Sequence, residues 1–312
     1  MIYRTILCFV LLYAPPLCAQ YERVEQIVRL PTGFATEMVL VPTGSFDRGM
    51  EGEAFDEQPV RRIHLDAYLI DKYEVTVAQW GEYQKDTGVQ IPEWVLQNTT
   101  ARQVHPITLV TWYDAQDFCQ WAGKRLPTEA EWERAARCDD GRKYPWGDGL
   151  DSYRANYFQS NDPFERGLGA ILSTNPVGFF DGTYREGTLA TGRVYSYQTR
   201  DGSSPFGVHD MVGNVFEWTN DWYNPSYYVH GPDTNPQGPR EGVVKAVRGG
   251  SYGVDASHVR PTYRARDAPD FKGPDVGFRC ASSVQAGTAV QHRSWGTVKR
   301  APQAARGEAD YE

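Results

Sequence analysis

The sequence predicts an α+β fold with little regular secondary structure, closed into one compact domain, and three observations carry this. Short strand-like segments, which mix β-branched and aromatic residues between Gly and Pro breaks, come first at Met38–Phe46 and Arg61–Tyr73. Three helices with threonine caps follow, all ahead of Asp139. From Asp139 to Pro239 the chain is rich in Gly, Pro, Asn, Asp and aromatics, without an amphipathic helix longer than a turn or two. A length of 312 residues suits one large domain or two small ones, and no internal repeat divides it. The 9 Trp, 19 Tyr and 13 Phe exclude low-complexity disorder. With 32 Lys+Arg against 40 Asp+Glu the chain has no electrostatic footprint for nucleic acid and no polybasic stretch for anionic lipid.

In chain order, residues 1–19 carry Arg4, an apolar run from Ile6 to Ala14, a Pro pair and a small residue at Ala19. This is the pattern of a secretory signal peptide cut after Ala19. The run is far short of the roughly 20 residues that a membrane-spanning helix needs, and no later segment comes close. The mature protein is therefore expected to be exported and soluble, periplasmic or secreted, with no transmembrane segment, and a monomer. Cys18 opens a lipoprotein alternative, which Pro16 and Leu17 disfavour.

Residues 20–36 read as an N-terminal extension. Thr76 with Gln79 caps VAQWGEYQKDTG, which Gly88 stops. Thr111 with Asp114 caps WYDAQDFCQWAG, whose Trp112, Ala115, Phe118, Cys119 and Ala122 share one face ahead of Gly123. Thr128 with Glu131 forms a capping box for EAEWERAARC. The loop-rich remainder needs bound metal or aromatic packing to hold it. The chain turns polar from Ala281, so residues 284–312 read as a mostly disordered tail with Trp295 its one candidate anchor. Asn98 opens the sequon Asn98-Thr99-Thr100. Of five Cys, Cys8 and Cys18 leave with the signal. Cys119, Cys138 and Cys280 remain, which in an oxidising compartment means one disulfide and one leftover thiol, in a pairing that spacing does not decide.

The common enzyme signatures are missing: no HExxH, GxSxG or Walker loop, and no GxGxxG followed by a helix. The six His are scattered without the spacing of a metal triad. More informative is HDMVGNVFEWTNDWY, residues 209–223, where Asp210 and Glu217 supply carboxylates and Gly213 allows a tight turn that exposes backbone carbonyls. Hard oxygens of this kind suit calcium. A turn held by Asp hydrogen bonds, with Trp218 and Trp222 in the core, accounts for the same pattern equally well.

Five ordered blocks carry a resemblance. GKRLPTEAEWERAAR (123–137), YPWGD (144–148), GVHDMVGNVFEW (207–218), VRGGSY (247–252) and VGFRCASS (276–283) together resemble the formylglycine-generating enzyme, or sulfatase-modifying-factor, family. The likeness spans residues 37–283. It implies a single domain related to C-type lectin folds, with structural calcium. One implied site falls on Asp210, the carbonyls of Gly213 and Val215, and Glu217, with Asp where the family usually has Asn. A second maps to Asn156, the carbonyl of Tyr157, Asp181 and Thr183, in a stretch that is longer here between Gln159 and Phe180. The family's scaffold disulfide maps to Cys119 and Cys280. A second bridge is absent as a unit, because Ala136 and Ala265 stand at its positions, and that leaves Cys138 as the free thiol.

The resemblance also carries an expected loss. Oxygen-dependent members convert a Cys in a Cys-x-Pro-x-Arg peptide to formylglycine, using Cu(I) held between two thiolates just after the GGSY block. Soft Cu(I) requires soft sulfur ligands. Here residues 251–269 contain no Cys, and Asp255 and Arg260 stand at the thiolate positions. No copper and no formylglycine synthesis are expected. One reading makes the chain a binding or accessory module of the cell envelope, taking a peptide-like or small-molecule ligand near Tyr252, Arg260, Tyr263 and Arg266. Another makes it a periplasmic oxidative tailoring enzyme, as in relatives that mature a siderophore chromophore. Asp255 or Asp267 would then be general base, His258 proton shuttle, and Arg264 or Arg266 the stabiliser of negative charge. A solvated loop of weak Asp–Arg pairs explains the same residues. An iron-dependent sulfoxide synthase needs a His-rich helical domain for which residues 20–36 have no room.

Overall fold

Threonine starts each main helix in the computed structural model, which describes Cys18 and residues 21–90, 102–164, 174–189 and 192–284. Helices α1 (Val77–Thr87), α2 (Trp112–Trp121) and α3 (Glu129–Arg137) open on Thr76, Thr111 and Thr128, with both bonds of a capping box present at each. Such a cap satisfies two amide N–H groups that the first turn leaves without partners. Gly88 ends α1 in the left-handed region at φ 75°, which a residue without Cβ adopts freely.

Four strands make the first sheet: β1 (Glu25–Arg29), β2 (Ala35–Val41), β5 (Tyr68–Asp71) and β12 (Ala281–Ser283), antiparallel in the order β1-β2-β5-β12. Between β2 and β5 the chain forms the hairpin β3 (Gly44–Arg48) and β4 (Arg61–Leu65). A second hairpin, β6 (Tyr184–Thr188) and β7 (Val194–Gln198), stands by itself. The second sheet takes β8 (Phe216–Trp222), β9 (Lys245–Arg248), β10 (Ala265–Asp267) and β11 (Val276–Phe278) in the order β10-β9-β8-β11, with only β11 parallel to its neighbour.

The predicted face of α2 is the one that is buried. Trp80 of α1 stacks on Phe118 at 5.7 Å and meets Phe278 of β11 edge-on, with Cys119 and Cys280 in the same core. A second core gathers Val39, Val41, Ile63 and Ile70 against Ala130, Trp132 and Ala135 of α3, with Phe206, Val208 and Met211. All nine residues of α3 are buried, although three are Glu and two Arg. Charged residues enter an interior only when paired, so this helix announces an ion network.

The structure corrects the sequence reading at three places. Residues 20–36 are no mere extension: β1 and the start of β2 lie within them, and Leu30 is in the core. The mostly exposed β1 sequence EQIVR carried no alternation to find. Ala281 to Ser283 form β12 against β5, so the polar turn in composition does not end the fold. Cys119 is bonded to Cys280, but Cys138 is no leftover thiol, because it is bonded to Cys18. The rest of the signal segment, the Asn98 sequon and residues 285–312 with Trp295 lie outside the described residues. The stretch 139–239 matches its reading in holding, as its one described helix, the single turn Tyr227–His230, and it adds three strands. Among the described residues no helix is long and apolar enough to cross a membrane.

Candidate functional site

The GGSY block follows β9, and the chain between Ser251 and β10 brings Arg264 to Glu129 at the start of α3. Its arginines divide by what they touch. Arg264 is buried and clamps the Glu129 carboxylate with Nε at 2.7 Å and Nη2 at 2.9 Å, while Nη1 donates to the Asp56 and Asn224 carbonyls. Arg248 of β9 reaches Glu129 at 3.1 Å and Glu133 at 2.6 Å, and Glu133 also takes Arg137 at 2.8 Å. Burial would push the Glu129 carboxyl up, yet the two guanidiniums outweigh it and hold it down at about 2. Arg260, in the position of the second family thiolate, pairs with buried Glu57 through Nε and Nη2 and also reaches Glu53. Arg264 and Arg260 are thus fixed in the fold, and neither joins an open cleft as the sequence reading had it.

Exposed beside them is a smaller group. Asp255 Oδ1 lies 3.0 Å from His258 Nδ1 and accepts from the Ser257 hydroxyl and N–H. The His258 ring meets Tyr263 edge-on at 4.9 Å. Ser257 first, then His258, hold the Asp255 carboxyl down at about 2. A general base works best with a pKa near the working pH, so Asp255 is suited to orienting His258 and not to taking a proton itself. Tyr252 is buried and directed at the Pro274 carbonyl. Arg266 is exposed and lies over the Tyr223 ring, donating to its hydroxyl. Burial, then the negative charge of Asp275, pushes the Asp267 carboxyl up. Two cavities of about 450 and 410 Å³ lie beside Trp146, and residues 252–266 line neither.

The 209–223 segment is built differently. Asp210 and Asn214 hold positive φ, and Gly213 packs so closely that a Cβ would meet the Asn156 carbonyl at 1.9 Å. Glu217 is buried and engages Arg279 with both oxygens at 2.7 Å, with Trp132 Nε1 donating at 2.9 Å. Glu74, which the sequence reading missed, accepts from Asn214 Nδ2 at 2.6 Å and from the Val215 N–H. Burial, then the charges of Asp210 and Glu217, push the Glu74 carboxyl well up. Three carboxylates here face one guanidinium, and that surplus of negative charge suits a hard cation. Among the described residues no three His, Cys, Asp or Glu gather in metal-holding geometry, so an ion would need backbone carbonyls and water as well. The residues of the second mapped set have protein partners of their own. Asn156 joins Asn175 and Asn214 against Gly213, and the Tyr157 carbonyl takes the Ser160 N–H. Asp181 is exposed, bound to Thr183 and to Arg185 at 2.7 Å, ahead of the β6–β7 hairpin.

Two further groups gave no sequence signal. Lys245 of β9 sits between the Trp112 and Trp222 rings at 3.7 and 3.9 Å, and burial brings its amine down to about 8. Asp221 accepts from the Glu129 N–H, and burial, then the Glu129 charge, push its carboxyl up to about 7. Because this folded value exceeds the ordinary 3.8, the group's stabilising contribution is full below about pH 4 and is lost as pH rises through about 7. Asp221→Asn keeps an acceptor for the Glu129 N–H. Its thermal midpoint is expected to match the wild type near about pH 4 and to exceed it near about pH 8, and a wild type that melts higher at the upper pH contradicts this account.

A mixed domain with two disulfides, a buried acid–arginine network around one helix and an Asn–carboxylate turn defines the class. Residues 24–284 match the sulfatase-modifying factor enzyme 1-like domain, and the chain belongs to the formylglycine-generating enzyme family. It is 37% identical over 299 residues to the formylglycine-generating enzyme of Streptomyces coelicolor, covering 79% of this chain and 89% of that enzyme. It is 32% identical to the serine/threonine-protein kinase pkn1 of Chlamydia pneumoniae, over 88% of this chain and 42% of the kinase. The chain therefore spans less than half the length of that relative. Among solved structures it resembles PvdO from Pseudomonas aeruginosa, with TM-score 0.63 and 23% identity over 85% of this chain and 100% of that one. It also resembles Treponema denticola variable protein 1, with TM-score 0.62 and 20% identity over 84% and 99%. Both likenesses are of fold.

Proposed function

We propose that this chain is an exported, calcium-stabilised member of its family that does not make formylglycine, and that it acts as a ligand-binding or accessory module of the cell envelope. The observation that carries the reading is Arg260. At the position of a copper thiolate stands a guanidinium locked onto buried Glu57, while Asp255 stands at the other position. Neither side chain is a soft ligand, and the four described cysteines are all in disulfides. Calcium would be held by Asp210 and Glu217 with the Gly213 and Val215 carbonyls, Glu74 lying behind them, and would supply the positive charge that this pocket lacks. Its removal by chelator is expected to lower the thermal midpoint, with calcium restoring it. An unchanged melting curve removes calcium from the account.

The ligand surface left open is Tyr263, His258, Arg266 and Tyr223. Thermal-shift screening against short peptides and small anions tests it. Hits are expected whose stabilisation vanishes in Arg266→Ala and Tyr263→Ala, whereas hits indifferent to both substitutions place binding elsewhere. The tailoring-enzyme reading has one observation in its favour, the Asp255–His258 contact that leaves Nε2 of an oriented imidazole for proton transfer. On that reading His258→Gln abolishes turnover of a substrate while leaving the melting curve intact.

A further inference from the structure

We infer that maturation of this protein spares Cys18: the N-terminal apolar segment is removed on the amino side of that residue, which then closes a disulfide with Cys138. The obvious small-residue cut, after Ala19, would discard one of the two sulfurs. The bond is only the first of several contacts that treat this part of the chain as part of the fold. Cys18 is 2% exposed and Cys138 1%, both in the core beneath α3 with Ala135, Ala136 and Phe206. The Asp139 N–H donates to Cys18 Sγ at 3.2 Å. Three residues on, the Tyr21 hydroxyl donates to Asp139 Oδ2 at 2.6 Å and its ring lies 5.2 Å from Phe206. Arg23 then reaches the Ser204 and Pro205 carbonyls, each at 3.3 Å, before the chain enters β1. Cys138 itself holds φ 59° just past the end of α3, a backbone conformation that L-residues adopt only when their surroundings impose it.

The chemistry fixes two consequences. Bond formation takes one proton and one electron from each thiol and passes both electrons to a disulfide-bearing oxidoreductase, which becomes a dithiol, so the chain must fold in an oxidising compartment. A sulfur in a disulfide cannot also carry a thioether-linked lipid, so the lipoprotein route at Cys18 is closed. The inference does not depend on the ligand or calcium reading.

The test is peptide mass mapping of the full chain, exported by its own N-terminal segment, after thiol blocking without reduction. The expected result is a disulfide-linked pair of peptides containing Cys18 and Cys138, and a mature N-terminus at or before Cys18. A chain that begins at Gln20, a lipid on Cys18, or a Cys138 that is alkylated without reduction each overturns the inference. As a second readout, Cys18→Ser should make Cys138 alkylatable after mild denaturation and lower the melting midpoint, whereas a Cys138 already blocked in the variant or a midpoint equal to the wild type counts against the bond.

Discussion

Arg264→Ala is expected to lower the thermal midpoint by about 10 °C, whereas Arg266→Ala, two residues away, leaves it within about 2 °C. The two arginines are alike in sequence and differ in what encloses them. Arg264 supplies four hydrogen bonds to Glu129, Asp56 and Asn224 from a fully enclosed position. Its removal leaves the Glu129 carboxylate buried with Arg248 as its one remaining ion-pair partner among the described residues. Breaking one side of a buried pair costs roughly 3–5 kcal/mol, and in a domain of this size each kcal/mol moves the midpoint by about 2–4 °C. Arg266 is solvent-exposed, and such sites seldom change stability by more than about 0.5 kcal/mol. Calorimetry of both variants checks the difference. Equal shifts would mean that the network around α3 contributes no more than a surface charge does.

The second large effect belongs to the Cys119–Cys280 bridge, which joins α2 to the link between β11 and β12 across a sequence separation of 161. In the chain-entropy treatment, closing a loop of that length stabilises by about 5 kcal/mol. Both sulfurs are buried in the same core as the Trp80–Phe118 stack, so a double Ala substitution removes the constraint without leaving a buried hydroxyl unpaired. The Cys119→Ala, Cys280→Ala chain is expected to melt at least about 10 °C below the wild type. Denaturation followed by Trp fluorescence gives the same comparison at constant temperature, and a loss under about 1 kcal/mol contradicts the account.

What was legible in the sequence was local. The three capping boxes need only residues three positions apart, and all three are present as read. The apolar face of α2 and the first strands follow from periods that span a turn or two. The site was harder because its logic is long-range. Glu133 and Arg248 are 115 positions apart, and Arg260 and Glu57 are 203. Charged residues are mostly found at surfaces, so nothing short of the fold reveals that EAEWERAAR is an interior helix. The same reasoning placed Arg260 and Arg264 in a cleft where the structure makes them anchors. Asp255 and His258 do come together, being three residues apart in one turn. Cys18 was lost from view because the segment around it reads as a leader, and its partner lies 120 positions on.

The most direct test concerns the chemistry that the family name carries. A Cys-x-Pro-x-Arg peptide is incubated with the purified chain, Cu(I) and oxygen, and its mass is followed, with a formylglycine-generating enzyme as positive control. The account predicts that the peptide is recovered unchanged at its cysteine, because Asp255 and the Glu57-bound Arg260 offer copper no thiolate. Conversion to formylglycine would contradict it and require a copper site outside the Ser251–Asp267 stretch.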